Sequence, residues 1–125
     1  MRITIVGSIK FYEKYKEIKK ELEEKGHEVI LPLPYESYDQ EITKKDTMNE
    51  FNDNLEKSDI ILVANFDKEG QPNYIGVNSL MEMGIAFNKH KKIFILNDIP
   101  ENCKEELEAI EVIALNGNLE DLKNA

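Results

Sequence analysis

The run Asp-Ile-Ile-Leu-Val-Ala at residues 59–64 constrains the fold more than any other feature of the chain. It is strand-length, rich in β-branched residues and apolar on both alternating faces. Such a strand is covered on both sides, which is the situation of a central strand in a parallel sheet. Parallel neighbours cannot be joined by a tight turn and need crossover connections, usually helices. The rest of the chain must therefore supply alternating strands and helices.

It does. Residues 3–6 form a short apolar run punctuated by Gly7-Ser8. Phe11, Tyr15, Ile18 and Leu22 then recur at helical spacing, with Lys and Glu on the other faces, among them a Glu21–Lys25 pair. Gly26 ends that helix, and residues 27–33 read as a second strand. Residues 33–46 contain Pro34, Tyr35 and Tyr38 and show no period, so a long loop is expected. Thr47 with Glu50 three positions on suggests a capping box opening a second helix, with Met48, Phe51 and Leu55 on its buried face. After the central strand comes a loop over residues 65–76, then a helix over residues 79–90. A fourth strand spans residues 92–96, a fourth helix opens near residue 98, and a fifth strand covers residues 111–115. A short final helix over residues 119–122 follows Gly117.

The expected architecture is one α/β domain over residues 1–125. It is a doubly wound, flavodoxin/Rossmann-like sheet of five parallel strands in the order 2-1-3-4-5. Ligands of such sheets bind beyond the carboxyl ends of the strands, where strand order reverses. Residues 7–11, residues 65–79 and the loop after Leu96 would meet there.

Composition narrows the function. The 125 residues are 41% hydrophobic and 33% charged, enough for a core and an ordinary water-facing surface. The net charge of -9 argues against nucleic acid and anionic membranes as partners. The charge is uneven, +2 over residues 1–25 and -5 over residues 101–125. One cysteine, Cys103, excludes an internal disulfide, and His27 and His90 lie too far apart for a helical metal pair. No metal or cofactor is expected. No apolar run is long enough to span a membrane, and residues 1–4 enter a strand directly, so a cytoplasmic location is expected.

Two places carry candidate chemistry. Gly7-Ser8-Ile9-Lys10 lies between a strand and a helix, where glycine permits a tight turn and helix-start N–H groups face an anion. It is neither a dinucleotide fingerprint nor a P-loop, and from spacing alone a plain turn with a serine cap is the commoner reading. Ser79-Leu80-Met81-Glu82 reads as a capping box. Glu82 is also a carboxylate in the first turn of an otherwise apolar helix, placed to act as nucleophile or base. Both readings stand at this level. Other acidic candidates are Asp46, Glu50, Asp53 and Asp67, and Tyr35, Tyr38 and Tyr74 are loop aromatics that could overlie a pocket. A receiver domain is excluded, because strand one ends in Gly7-Ser8 where that fold needs an acidic pair. The Gly-Gly phosphate motif of lysine-decarboxylase-like enzymes is absent too.

Gly7-Ser8-Ile9-Lys10, the segment Ser58-Asp59-Ile60-Ile61-Leu62-Val63 and Glu82-Met83-Gly84-Ile85-Ala86 together resemble the nucleoside 2-deoxyribosyltransferase-like superfamily. Ala86-Phe87-Asn88-Lys89 and the Gly-Ser-Ile-basic opening look closest to its nucleotide N-glycoside hydrolase branch. The resemblance implies cleavage of the bond between a base and a (deoxy)ribose, often a 5′-phosphate. Glu82 would attack the anomeric carbon, and water or a second base would resolve the ester. It implies that Gly7, Ser8 and Ile9 hold the sugar phosphate, and a homodimer or larger assembly; Lys10, Tyr74, Gly76, Asn78 and Ser79 complete the expected substrate contacts. Where the family usually has an Asp before strand three, this chain has Phe51, with Glu50 and Asp53 beside it. Ahead of the nucleophile it has Gly76 and Asn78 where the family has an Asp or Ser. The general acid is therefore relocated or lost, and the expected catalytic set is Glu82, Asp67 and Asp53. The alternatives are a nucleotide-binding module that kept the pocket without the acid, and an interaction protein whose acidic C-terminal segment docks a basic partner.

Overall fold

The computed structural model describes residues 1–32 and 43–124. Five strands form one sheet: β1 (Arg2–Val6), β2 (Glu28–Ile30), β3 (Ile60–Val63), β4 (Lys92–Ile95) and β5 (Ile113–Ala114). All four pairings are parallel and the order is β2-β1-β3-β4-β5, as the strand and helix alternation predicts. The helices are α1 (Tyr12–Glu24), α2 (Lys44–Lys57), α3 (Val77–Asn88) and α4 (Lys104–Ala109). Short 3-10 turns at Ile9–Phe11 and Glu101–Cys103 lead into α1 and α4, and Leu119–Asn124 forms a third. No described helix is long and apolar enough to cross a membrane.

Side-chain alternation divides the core between the two faces of the sheet. Ile3, Ile5, Ile60, Leu62, Phe94 and Leu96 meet Tyr15, Ile18 and Leu22 of α1 and the terminal Leu119 and Leu122. Val6, Ile61, Val63, Ile93 and Ile95 meet α2, α3 and α4 through Phe51, Leu55, Met83, Ala86, Cys103 and Leu107. All four residues of β3 are buried, the arrangement its sequence demands. Each such Ile or Leu contributes about 1.5–3 kcal/mol through burial.

Several boundaries differ from the sequence reading, each for a local reason. The capping box of α2 is Thr43 with Asp46, not Thr47 with Glu50. The Thr43 hydroxyl accepts from the Asp46 amide at 3.1 Å and the Asp46 carboxylate accepts from the Thr43 amide at 3.0 Å. Thr47 sits inside the helix and donates to the Lys44 carbonyl at 2.7 Å. Helix α3 begins at Val77 behind Gly76, so Ser79 caps nothing and Glu82 stands in the second turn, without a capping role. It ends at Asn88, two residues before His90. Strand β2 stops at Ile30 and β5 has two residues. Cys103 faces the core. Leu33, Pro34, Tyr35 and Tyr38 fall outside the described residues.

Candidate active site

The order of the sheet reverses between the neighbouring strands β1 and β3, whose onward helices leave on opposite faces, α1 on one and α3 on the other. A cavity opens there, between β1, the first half of α2 and the start of α3. Its inner compartment, about 60 Å³, is lined by Thr4, Gly7, Lys44, Glu50, Phe51 and Glu82, among others. An outer compartment of about 260 Å³ shares Gly7, Pro32, Lys44 and Asn78 with it. The outer one adds Ser8, Ile9, Lys68, Tyr74, Gly76, Val77 and Ser79.

Glu82 is the most unusual group in the inner compartment. It sits one helical turn beyond Asn78 and is only 9% exposed. No described residue hydrogen-bonds its carboxylate. Burial raises its pKa from 4.5 to about 7, and Lys44 opposes that rise. At neutral pH the group is divided between its acid and its carboxylate. Glu50, on the facing helix α2, is also pushed up, by burial first and then by neighbouring Asp53. Two carboxyl groups of elevated pKa thus line one enclosed space, a common arrangement where proton transfer or nucleophilic attack is done. Nearby, the Thr4 hydroxyl is paired with that of Ser58 at 2.6 Å.

The outer compartment has the opposite character. The Ser8 side chain accepts from the Lys10 amide at 3.4 Å, as the cap of the Ile9–Phe11 turn. The Lys68 ammonium lies 3.5 Å from the Ser8 hydroxyl and 4.7 Å over the Tyr74 ring. Lys68 is held there by a tight turn in which it and Gln71 exchange backbone hydrogen bonds. Helix α3 opens on Gly76 with no side-chain cap, so its first N–H groups are available to an anion. The Tyr74 ring packs so close to Gly76 that a Cβ there would lie 3.1 Å from the Tyr74 hydroxyl.

Of the residues singled out from sequence, Gly7, Ser8, Ile9, Tyr74, Gly76, Asn78, Ser79 and Glu82 line these two compartments. Lys10 lines neither and forms an exposed ion pair with Glu69 at 3.2 Å. Asp53 is exposed on α2 and lines neither. Asp67 lines a separate open depression with Phe66, Asn73 and Asn97, and its carboxylate accepts from the Asn73 amide at 2.8 Å. Asp46 is spent on capping α2.

Sequence reasoning missed Lys44 and Lys68 altogether and named Glu50 without placing it. A signal for Lys44 was present. Starting α2 at the Thr43–Asp46 box puts Lys44, Thr47, Phe51 and Asn54 on one stripe at spacings of three and four. All four line the inner compartment. Lys68 carried no comparable signal, because its relation to Ser8 exists only across the fold. Among the described residues no group of His, Cys, Asp and Glu could hold a metal ion.

No protein-family model matches the chain, and no curated protein matches it in sequence. Solved structures do. A CMP N-glycosidase from Clostridium botulinum, BcmB, superposes with a TM-score of 0.62 at 18% identity, over 100% of both chains. A conserved protein from Enterococcus faecalis V583 superposes with a TM-score of 0.57 at 17% identity, over 88% of this chain and 74% of that one. The chain therefore shares its fold with these two solved structures.

Proposed function

We propose that this protein cleaves the N-glycosidic bond of a (deoxy)nucleoside 5′-monophosphate through a covalent glycosyl-enzyme intermediate on Glu82. The observation that carries this reading is Glu82 itself. It is a buried carboxylate with no hydrogen-bond partner among the described residues, at the inner end of a cavity whose outer end gathers Ser8, Lys44 and Lys68. The phosphate is held outside, by the lysines, the Ser8 hydroxyl and the uncapped start of α3. The anomeric carbon is held inside. The ionised Glu82 carboxylate attacks that carbon, and the base departs with the bonding electron pair. Glu50 gives the departing base a proton, then takes one from the water that opens the ester. The products are free base and sugar phosphate, and a second base in place of water would give transfer. Glu50 takes the acid role that the sequence offered to Asp67, because it lines the Glu82 compartment and neither Asp67 nor Asp53 does.

Release of free base from a panel of ribo- and deoxyribonucleoside 5′-monophosphates, read by chromatography, tests the proposal. Base release from at least one of them is expected. Phe51 favours a second reading, because it fills a place where the resembled family carries an Asp. If several monophosphates bind and none turns over, the protein is a nucleotide-binding module and the glycosidase proposal fails.

A second copy of the chain is the proposed partner. Helix α3 exposes Val77 (87%), Met81 and Phe87, and its one ionisable residue, Glu82, is buried. Copies with a charge of -9 repel over most of their surface, and a charge-free helix face is where two of them can meet. Val77 also lines the outer compartment, so this interface borders the site. Sedimentation should show a dimer that Met81→Glu dissociates. A monomeric parent protein at all concentrations would remove the assembly from the account.

A further inference from the structure

Tyr15 lines neither compartment, yet both walls of the outer one rest on it. It is fully buried on α1. Its hydroxyl donates to the Ser8 carbonyl at 2.5 Å, and the Phe11 amide donates to the same carbonyl at 3.1 Å. Two donors thus hold the Ser8 oxygen on the α1 side. In a planar trans peptide the carbonyl and the next N–H point in opposite directions. Fixing the Ser8 oxygen toward Tyr15 therefore turns the Ile9 N–H the other way. Gly7 sits so close above the phenol that a Cβ there would collide with the Tyr15 hydroxyl and come within 3.2 Å of the Ala64 carbonyl.

The opposite wall is tied to the same ring. Phe66 stacks on Tyr15 with centroids 6.4 Å apart and planes 18° apart. The Phe66 carbonyl accepts from the Tyr74 amide at 3.0 Å, which closes the loop carrying Lys68 and Tyr74. Burial pushes the Tyr15 phenol far above the usual tyrosine range, so it stays a donor at any ordinary pH.

We infer that Tyr15 is a positioning residue that sets the Gly7–Ile9 segment against the Phe66–Tyr74 segment in the geometry that grips the phosphate of a sugar phosphate. This rests on the proposed placement of the phosphate in the outer compartment, but not on Glu82 chemistry. The test is Tyr15→Phe in the full chain, which keeps the ring and removes only the donor. Ribose 5-phosphate is titrated by calorimetry, and monophosphate turnover is followed in parallel. The expected result is a Kd about tenfold weaker, the cost of one lost hydrogen bond at a binding loop. KM should rise by a similar factor with kcat within about twofold, since the inner compartment is untouched.

A residue of purely structural importance would lower the melting temperature and leave the Kd alone, and that outcome overturns the inference. So does a parent protein that fails to bind ribose 5-phosphate. If Tyr15→Phe does not fold, Phe66→Leu, which removes the stacked ring and keeps the hydroxyl, should weaken binding in the same direction; an unchanged Kd there also overturns it. A parent protein that binds ribose 5-phosphate but releases no base contradicts the glycosidase proposal alone. The Tyr15 effect on Kd would still be read.

Discussion

The inner and outer compartments share walls and differ in almost everything else. The inner one is small and carries Glu82 and Glu50, both with raised pKa. The outer one is about four times larger, opens to solvent and carries Lys68 and the Ser8 hydroxyl. Lys44 borders both. The difference teaches how a strongly acidic chain can hold an anionic ligand. Overall charge repels the ligand, so binding relies on backbone N–H groups and a few local cations. The acidic groups line the smaller inner compartment, where burial raises the pKa of each. Binding and bond cleavage are thus assigned to opposite ends of one cavity.

Changes at either end should separate the two functions. Glu50→Gln should lower kcat by about a hundredfold or more, the usual contribution of a general acid. It should also remove the alkaline fall from a bell-shaped pH profile of kcat/KM, because a Gln cannot lose the donated proton.

Glu82→Gln should stabilise the fold, and only at higher pH. Below pH 4.5 both folded and unfolded chains hold the Glu82 proton, and its burial costs no charge. Between pH 4.5 and about 7 the folded chain keeps a proton that the unfolded chain has released, so stability falls as pH rises. Above about pH 7 the folded chain carries a buried carboxylate, and the full loss, up to about 3 kcal/mol, has been incurred. Urea denaturation of the two proteins should coincide at pH 4 and diverge in favour of Gln at pH 8.

At the outer end, Lys68→Ala should raise KM for monophosphates about tenfold, leave KM for the free nucleosides unchanged and flatten the salt dependence. The smallest effect is expected from Asp67→Asn. It weakens one loop hydrogen bond, costs about 1 kcal/mol or less in stability and leaves kcat unchanged.

Much of this molecule is legible along the chain, because local patterns decide it. The apolar run at β3 and the four-three-four spacing on α1 leave few alternatives. Gly7-Ser8-Ile9 and Glu82 are legible because each belongs to a contiguous motif at the edge of an element. Two overlapping cap patterns hid the start of α2, since Thr43–Asp46 and Thr47–Glu50 look alike in sequence and only tertiary packing chooses. That choice brought Lys44 onto the helix and into the site. The position of Asp67 depends on a turn built around Glu69 and Gly70, both at positive φ, and no periodicity announces it. Lys68 meets Ser8 across 60 positions of sequence, a contact only the folded sheet creates.

The central claim is that bond cleavage depends on Glu82 while ligand retention does not. It is tested most directly by comparing the parent protein with Glu82→Gln in two assays on the same samples. One is base release from the best monophosphate substrate, and the other is the Kd for ribose 5-phosphate at pH 7. The account predicts a fall in kcat of about a thousandfold or more, as loss of a nucleophile produces, with the Kd within about twofold. Base release at the parent rate by Glu82→Gln would contradict it.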